Sequence, residues 1–151
     1  MSRSLTVFSD EHFMGEALKE ARKAFDADEV PVGAVVVCQD RIIARAHNLT
    51  ERLTDITAHA EMQAITAAAN HLGGKYLVDC TIYITLEPCL MCAGALNLAQ
   101  VKKAVYGADD PKKGFSTYHE NPFHPKTKVV KGVRADECAA LMKDFFRKKR
   151  S

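Results

Sequence analysis

The stretches Ala58-His59-Ala60-Glu61 and Thr85-Leu86-Glu87-Pro88-Cys89-Leu90-Met91-Cys92 contain one imidazole, one nearby carboxylate and two thiols three positions apart. Zinc binds nitrogen and sulfur ligands tetrahedrally, and a catalytic zinc leaves one of its four positions to water. We therefore predict a Zn2+ site with three protein ligands, namely His59, Cys89 and Cys92. Glu61 is then the carboxylate that is free to move protons for the bound water.

Both stretches are predicted to lie at the start of a helix. His59 and Glu61 would be ~200° apart on a helix, so both can reach one metal only where side chains fan out around a helix end. Cys89 and Cys92 share a helical face, and Pro88 is favoured at or just before a first turn. The sequence thus predicts two helix N-termini directed at one metal, whose positive ends favour thiolates.

The combination of motifs is more specific than either motif alone. A lone Cys-x-x-Cys also suits a redox dithiol, but His-x-Glu followed by Pro-Cys-x-x-Cys after a strand is the signature of zinc deaminases. The alternatives are a closed structural zinc site or a thioredoxin-like dithiol. A closed site needs a fourth protein ligand, and Cys38, Cys80 and Cys138 do not have the spacing to supply one.

Length and composition indicate an ordinary globular protein. We expect one domain over residues 1–151, and 47% hydrophobic with 26% charged residues is typical of a soluble chain. No apolar run is long enough to span a membrane, and no signal segment begins the chain. Five cysteines, two of them in a metal motif, favour a reducing compartment, so we expect a cytoplasmic protein.

Charge is distributed unevenly along the chain. Residues 1–100 carry 8 Lys/Arg and 13 Asp/Glu, a net charge of −5, whereas residues 101–151 carry 13 and 6, a net charge of +7. Such asymmetry favours an acidic partner for the second part, with nucleic acid first among the candidates. A solvated basic surface without a partner is the alternative.

Strand patterns alternate with helical patterns, which predicts an α/β sandwich with one sheet covered on both faces. Ser9 is expected to cap the first helix and Thr57 the helix that follows His59. A long loop rich in turn residues is expected over 109–126, and such loops are usually functional. The remaining elements are strands over 30–37, 41–46, 81–86, 103–107 and 129–130, and helices from Asp10, from Cys92 to Ala99 and over 136–150.

These motifs resemble those of the bacterial tRNA-specific adenosine deaminases, in the cytidine deaminase-like superfamily, from about residue 9 to residue 150. Further pieces of the resemblance are Val30-Pro31-Val32-Gly33-Ala34, His47-Asn48, residues 106–112, and Cys138-Ala139-Ala140-Leu141 with Phe145-Phe146. The resemblance implies a three-layer α/β/α sandwich around a mixed sheet of about five strands. It also implies one Zn2+ per subunit, a homodimer, and hydrolytic deamination of adenosine to inosine at the wobble position of a tRNA anticodon, with Glu61 as the proton shuttle.

The resemblance assigns the substrate contacts to particular positions. Asn48 is expected to hydrogen-bond the extruded base, while Val32 and Leu86 form walls of its pocket. A loop with Asp110 and Lys112 is expected to touch the target nucleotide or its backbone. The final helix is expected to grip the tRNA anticodon stem-loop through Phe146, Arg147 and the cations Lys148, Lys149 and Arg150; of Phe145 and Phe146, we expect one to pack in the core and one to stack on RNA.

Two other functions remain open from the sequence. One is a deaminase of a free base or nucleoside, such as guanine or cytosine, on the same fold and metal site; the charge asymmetry favours RNA over it. The other is a zinc-stabilised RNA-binding module without catalysis, against which Glu61 and the open metal position argue.

The chain departs from the family after Gly114, where Phe115–Pro122 replace a longer Gly/Ser-rich stretch. His119 and His124 are expected to be surface loop residues.

Overall fold

The computed structural model describes residues 8–150, and its strands form one five-stranded mixed sheet. The strands are β1 (Gly33–Cys38), β2 (Arg41–His47), β3 (Cys80–Leu86), β4 (Lys103–Ala108) and β5 (Lys128–Lys131). Their order across the sheet is β2-β1-β3-β4-β5. The β1 strand pairs antiparallel with β2 and β3, whereas β3–β4 and β4–β5 are parallel pairs.

Helices cover both faces of this sheet. They are α1 (Asp10–Asp26), α2 (Ala60–Leu72), α3 (Leu90–Ala99) and α4 (Ala135–Arg150), with a short 3-10 helix at Phe115–Thr117. Helices α1 and α4 pack on one face, and α2 and α3 on the other. The predicted three-layer α/β/α sandwich with a mixed sheet of five strands is therefore confirmed. None of the helices within residues 8–150 is both long and apolar enough to cross a bilayer.

Strands β1 and β3 are buried on both faces of the sheet, which explains their nearly continuous apolar sequences. Val35 and Tyr83 belong to the core beneath α1, whereas Val36 and Ile84 belong to the core beneath α2 and α3. Each such side chain contributes ~1.5–3 kcal/mol by its burial. The Tyr83 hydroxyl donates to Asp10 at 2.8 Å, which joins the start of α1 to the sheet.

Local sequence signals explain the start of α1, the turn between β1 and β2, and the end of α2. The Ser9 hydroxyl accepts the His12 N–H at 3.1 Å, as expected of a helix N-cap. Gln39 and Asp40 have φ values of 52° and 61°, which suit the tight hairpin turn between β1 and β2. Gly73, with φ 72°, ends α2 in the left-handed conformation.

Two predicted boundaries were wrong. Strand β1 begins at Gly33 rather than at residue 30, because Pro31 has no N–H and the Val32 N–H donates to Val30 in a tight turn. Thr57 does not cap α2: its N–H and hydroxyl both donate to Asp55, and His59 is the N-cap residue.

The segment between β4 and β5 is not the structureless loop that was expected. Gly114 forms an isolated antiparallel bridge with Cys89. Phe115 and Phe123 are buried, and their rings meet edge to face with centroids 5.0 Å apart. The segment therefore packs on the core through contacts that are distant in sequence.

Candidate metal centre and substrate pocket

Two helix N-termini meet at one group of potential metal ligands. His59 is the N-cap residue of α2, and Cys89 is the N-cap residue of α3, immediately after Pro88. The Cys89 sulfur accepts the Cys92 N–H at 3.5 Å, so both thiols face the same point. The ligand atoms of His59, Cys89 and Cys92 all lie within 4.8 Å of one another.

The spacing of these atoms fits tetrahedral zinc. The His59 Nδ1 atom lies 3.6 Å from the Cys89 Sγ atom and 3.5 Å from the Cys92 Sγ atom. With bonds of about 2.0–2.1 Å to nitrogen and about 2.3 Å to sulfur, tetrahedral angles put such atoms about 3.6 Å apart. Three ligands of this kind suit a zinc ion that keeps its fourth position for water or substrate.

The two thiols differ in their environments. Hydrogen bonds from the Cys92 and His59 side chains lower the pKa of Cys89 to about 4. The hydrogen bond with Cys89, together with burial, raises the pKa of Cys92. The isolated pair thus favours a single negative charge, whereas a divalent cation bound to both sulfurs would favour the second thiolate.

Glu61 lies in the first turn of α2, beside this group but outside it. The side chain is buried, and burial raises the pKa of its carboxyl to about 7. A carboxyl that titrates near neutrality can both accept and release a proton at physiological pH, which is the property required of a general acid and base.

A cleft of about 970 Å³ opens over Glu61 and the metal-ligand group. Its volume lies at the upper end of the ~300–1,000 Å³ range of small-molecule pockets. Seven of the substrate-contact residues expected from the sequence line this cleft: Asn48, Val32, Leu86, Asp110, Lys112, Phe146 and Arg147. The structure therefore brings residues from β3 and α4, and from the segments before β1, after β2 and after β4, to one place.

Asn48 has a polar atom that lacks a partner. Its side chain is 7% exposed, and among the buried side-chain nitrogen and oxygen atoms of residues 8–150 only its Oδ1 makes no hydrogen bond. An unpaired buried polar group costs ~1–3 kcal/mol. Because Asn48 lines the cleft, a bound ligand with a hydrogen-bond donor can satisfy this atom.

The cations of α4 divide between two faces of the helix. Lys143, Arg147 and Arg150, spaced four and then three residues apart, line the cleft. Lys149 instead donates to Asp28 at 2.6 Å. Neither Lys149 nor Lys148, whose ammonium group lies over the ring of Phe25, lines the cleft with Arg150.

Sequence reasoning missed some residues of the cleft. Lys143 is the most important, and its spacing from Arg147 and Arg150 was the available signal. Ile56 at the mouth is 85% exposed, which no periodic pattern indicates.

His119 and His124 lie in the segment after β4, where each ring accepts a backbone N–H two residues on. Of the two phenylalanines near the end of α4, Phe145 is buried and Phe146 is 41% exposed.

A mixed sheet between helical layers, with a His-Cys-Cys group and a buried glutamate at two helix N-termini, defines a deaminase domain of the cytidine deaminase-like fold. The chain belongs to the MafB19-like deaminase family, whose family model matches residues 8–150.

Known proteins similar to this chain include both RNA and free-base deaminases. A tRNA-specific adenosine deaminase of Bacillus subtilis is 49% identical over 146 residues, which cover 93% of this chain and 91% of that protein. A structure solved in a study of A-to-I editing by tRNA:A34 deaminases has a TM-score of 0.80 and 43% identity, covering 86% of this chain and 98% of that one. A guanine deaminase from Bacillus subtilis has a TM-score of 0.63 and 40% identity, covering 66% of this chain and 64% of that one.

Proposed function

We propose that this protein is a zinc-dependent hydrolase that converts adenosine to inosine at the wobble position of a tRNA anticodon. The observation that carries the proposal is the continuity of the cleft from the His59, Cys89 and Cys92 group to the cations of α4. A free base would fill only the inner part of this space. The relatives named for tRNA and A34 deamination support the same substrate class.

The chemistry follows from the side chains at the inner end of the cleft. His59, Cys89 and Cys92 would hold the zinc ion, which when bound supplies the Lewis acidity that makes water a nucleophile near neutral pH. Glu61 takes the proton of the attacking water and passes it to the ring nitrogen next to C6. It then takes the remaining proton of the added hydroxyl group, as C6 becomes a carbonyl, and gives it to the amino group, which leaves as ammonia. The pKa of Glu61, raised to about 7 by burial, suits both transfers.

The base-binding part of the cleft combines apolar walls with one polar contact. Val32 and Leu86 lie on its walls, next to Glu61. Asn48 lines the same space, and its Oδ1 atom has no hydrogen-bond partner within residues 8–150, so its amide can recognise a polar edge of the base. Such a pocket requires the target adenosine to be extruded from the anticodon loop, and extrusion is least costly in an unpaired strand.

The outer part of the cleft carries groups that suit a nucleic acid backbone. Lys143, Arg147 and Arg150 can pair with phosphates without reading sequence. Phe146, which is 41% exposed, offers a ring on which a neighbouring base can stack. On the opposite side, Asp110 and Lys112 belong to the segment after β4 that also lines the cleft.

We also propose that the protein works as a homodimer in the cytoplasm. The outer side of α3 exposes Leu90, Met91 and Leu98, with exposed fractions of 44%, 38% and 77%. A second copy of the chain would remove this apolar surface from water. The five cysteines are all free thiols, which supports a reducing compartment.

A free-base deaminase is the alternative, supported by the likeness to a guanine deaminase at 40% identity. The two functions are separated by offering purified, zinc-loaded protein an anticodon stem-loop with adenosine at the wobble position, or free adenosine, cytidine, cytosine or guanine. We expect inosine in the stem-loop and no ammonia from the free compounds. Ammonia from guanine or cytosine, with the stem-loop unchanged, would overturn the proposal.

A further inference from the structure

Glu87 is a buried carboxylate that lies at the junction between β3 and the metal-binding turn. Only 3% of its surface is exposed. One oxygen accepts the Asp110 N–H at 3.0 Å, and the other accepts the Ser116 N–H at 2.9 Å and the Ser116 hydroxyl at 2.7 Å. A single side chain thus binds two points, Asp110 and Ser116, in the first half of the segment that follows β4.

Backbone contacts hold the same segment against the metal-binding turn. The Glu87 N–H donates to the Ala108 carbonyl at 2.8 Å, and the Phe115 N–H donates to the Pro88 carbonyl at 2.9 Å. A Cβ atom at Gly114 would lie 2.4 Å from a Glu87 carboxylate oxygen. The chain therefore approaches the carboxylate so closely that only glycine fits without a shift.

The segment presents its other side to the cleft. The Asp110 side chain accepts the Lys112 and Lys113 N–H groups, both at 3.1 Å, which closes a turn. All three residues of this turn line the cleft. Because the Asp110 N–H is the point where Glu87 binds this turn, the position of the turn depends on that carboxylate.

We propose that Glu87 is a positioning residue for the RNA substrate. Its carboxylate fixes the turn at residues 110–113 relative to Cys89, two residues further along the chain, so that the nucleotide contacts and the reacting centre keep one spacing. The proposal rests on the function proposed above, because it assumes that the turn contacts substrate. It adds a role for a residue that lines the cleft but does not belong to the metal-ligand group.

Replacing Glu87 with Gln tests the carboxylate without changing its size. Three donors converge on two acceptor oxygens, whereas an amide has one acceptor oxygen and one NH2 donor. Two of the three donors belong to Ser116, so the amide oxygen is best placed towards Ser116 and the NH2 group then faces the Asp110 N–H. The substitution therefore releases the Asp110 end of the segment.

Glu29→Gln is the matched control. Glu29 is 1% exposed and accepts the Glu51 N–H at 3.0 Å and the Arg52 N–H at 2.7 Å, in a loop on the other side of the cleft. The substitution Glu29→Gln removes a carboxylate that is as buried as that of Glu87 and also has two backbone N–H partners. General loss of stability would affect both variants alike, whereas a positioning role for Glu87 predicts an effect at Asp110 in Glu87→Gln alone.

The first readout is amide hydrogen exchange at Asp110 by NMR on zinc-loaded protein. We expect exchange at Asp110 to become about tenfold faster in Glu87→Gln and to stay unchanged in Glu29→Gln, since the hydrogen bond from the Asp110 N–H to a carboxylate is lost only in the former. Unchanged exchange in Glu87→Gln, or equal acceleration in both variants, would overturn the proposal. This readout does not depend on catalysis, so it remains decisive even if the wild type does not act on tRNA.

The second readout is steady-state deamination of the stem-loop. We expect Glu87→Gln to raise KM about tenfold and to change kcat less than about twofold, because misplaced contacts weaken binding before they affect chemistry. A fall in kcat and zinc content with unchanged KM would instead mean that Glu87 only supports the metal site. If Glu87→Gln does not fold, Glu87→Asp keeps the charge but shortens the side chain, and we expect about threefold faster exchange at the Asp110 N–H; no change there would refute the proposal.

Discussion

Replacing Asn48 with Ala is expected to have opposite effects on substrate binding and on the stability of the free protein. The Asn48 Oδ1 atom is buried and accepts no hydrogen bond from residues 8–150, and an unpaired buried polar group costs ~1–3 kcal/mol. In the proposed complex the base supplies the missing donor. Asn48→Ala therefore removes an unfavourable group from the free protein and a favourable contact from the complex.

The expected magnitudes follow from these two effects. Loss of the contact with the base should lower kcat/KM for the stem-loop by ~10- to 100-fold, since each ~1.4 kcal/mol is a factor of ten. Removal of the unpaired amide should leave the free energy of unfolding unchanged or raise it by about 1 kcal/mol. For a chain of this size that corresponds to a rise in Tm of about 2–4 °C at most.

Asn97→Ala is the matched control, because the Asn97 amide donates to the Pro122 carbonyl at 2.7 Å and lies outside the cleft. We expect it to lower Tm by about 2–4 °C and to leave kcat/KM within about twofold of wild type. Differential scanning fluorimetry and an inosine assay on both variants give the comparison. If Asn48→Ala lowers Tm as much as Asn97→Ala and leaves kcat/KM unchanged, the assigned role of Asn48 is wrong.

Three further predictions test other parts of the site and the core. Glu61→Gln should keep the zinc content, measured by mass spectrometry, and lose at least ~100-fold in turnover, because the proton shuttle is removed; turnover at the wild-type rate would exclude that role. Lys143→Ala should weaken stem-loop binding and reduce the salt dependence of binding by about one phosphate contact. Lys149→Ala should leave RNA binding unchanged, because the Lys149 side chain pairs with Asp28. If a fluorescence anisotropy titration shows that Lys149→Ala weakens binding more than Lys143→Ala, the face of α4 assigned to the cleft is wrong. Gly33→Ala would place a Cβ 2.2 Å from the Ala17 carbonyl oxygen and should cost at least ~1–3 kcal/mol of unfolding free energy in urea titrations; an unchanged midpoint would mean that α1 and β1 are less closely packed than described.

The sequence was sufficient for features that depend on local spacing. The His59, Cys89 and Cys92 group could be predicted because two residues start helices and two lie three apart on one helical face. The layered fold could be predicted because the apolar strands alternate with helical patterns. The roles of Asn48, Val32 and Leu86 in the substrate pocket were predicted from the family resemblance, because no spacing or periodicity in the sequence indicates them.

The remaining features depend on contacts that are distant in sequence. Lys149 lies outside the cleft lining because Asp28, two residues beyond the end of α1, lies beside α4 and pairs with it. Phe115 and Phe123 order the segment after β4 by packing on each other. The role of Glu87 depends on donors 23 and 29 residues further along the chain, so its sequence neighbours give no sign of it.

The most direct test of the central claim is the position of inosine in RNA. Zinc-loaded protein is incubated with an anticodon stem-loop that has its only loop adenosine at the wobble position, and with a matched stem-loop in which that adenosine is moved one nucleotide along the loop. Inosine is located by sequencing of the products. The account predicts inosine at the wobble position and none at the shifted one; equal conversion at both positions, or no conversion at either, would contradict it.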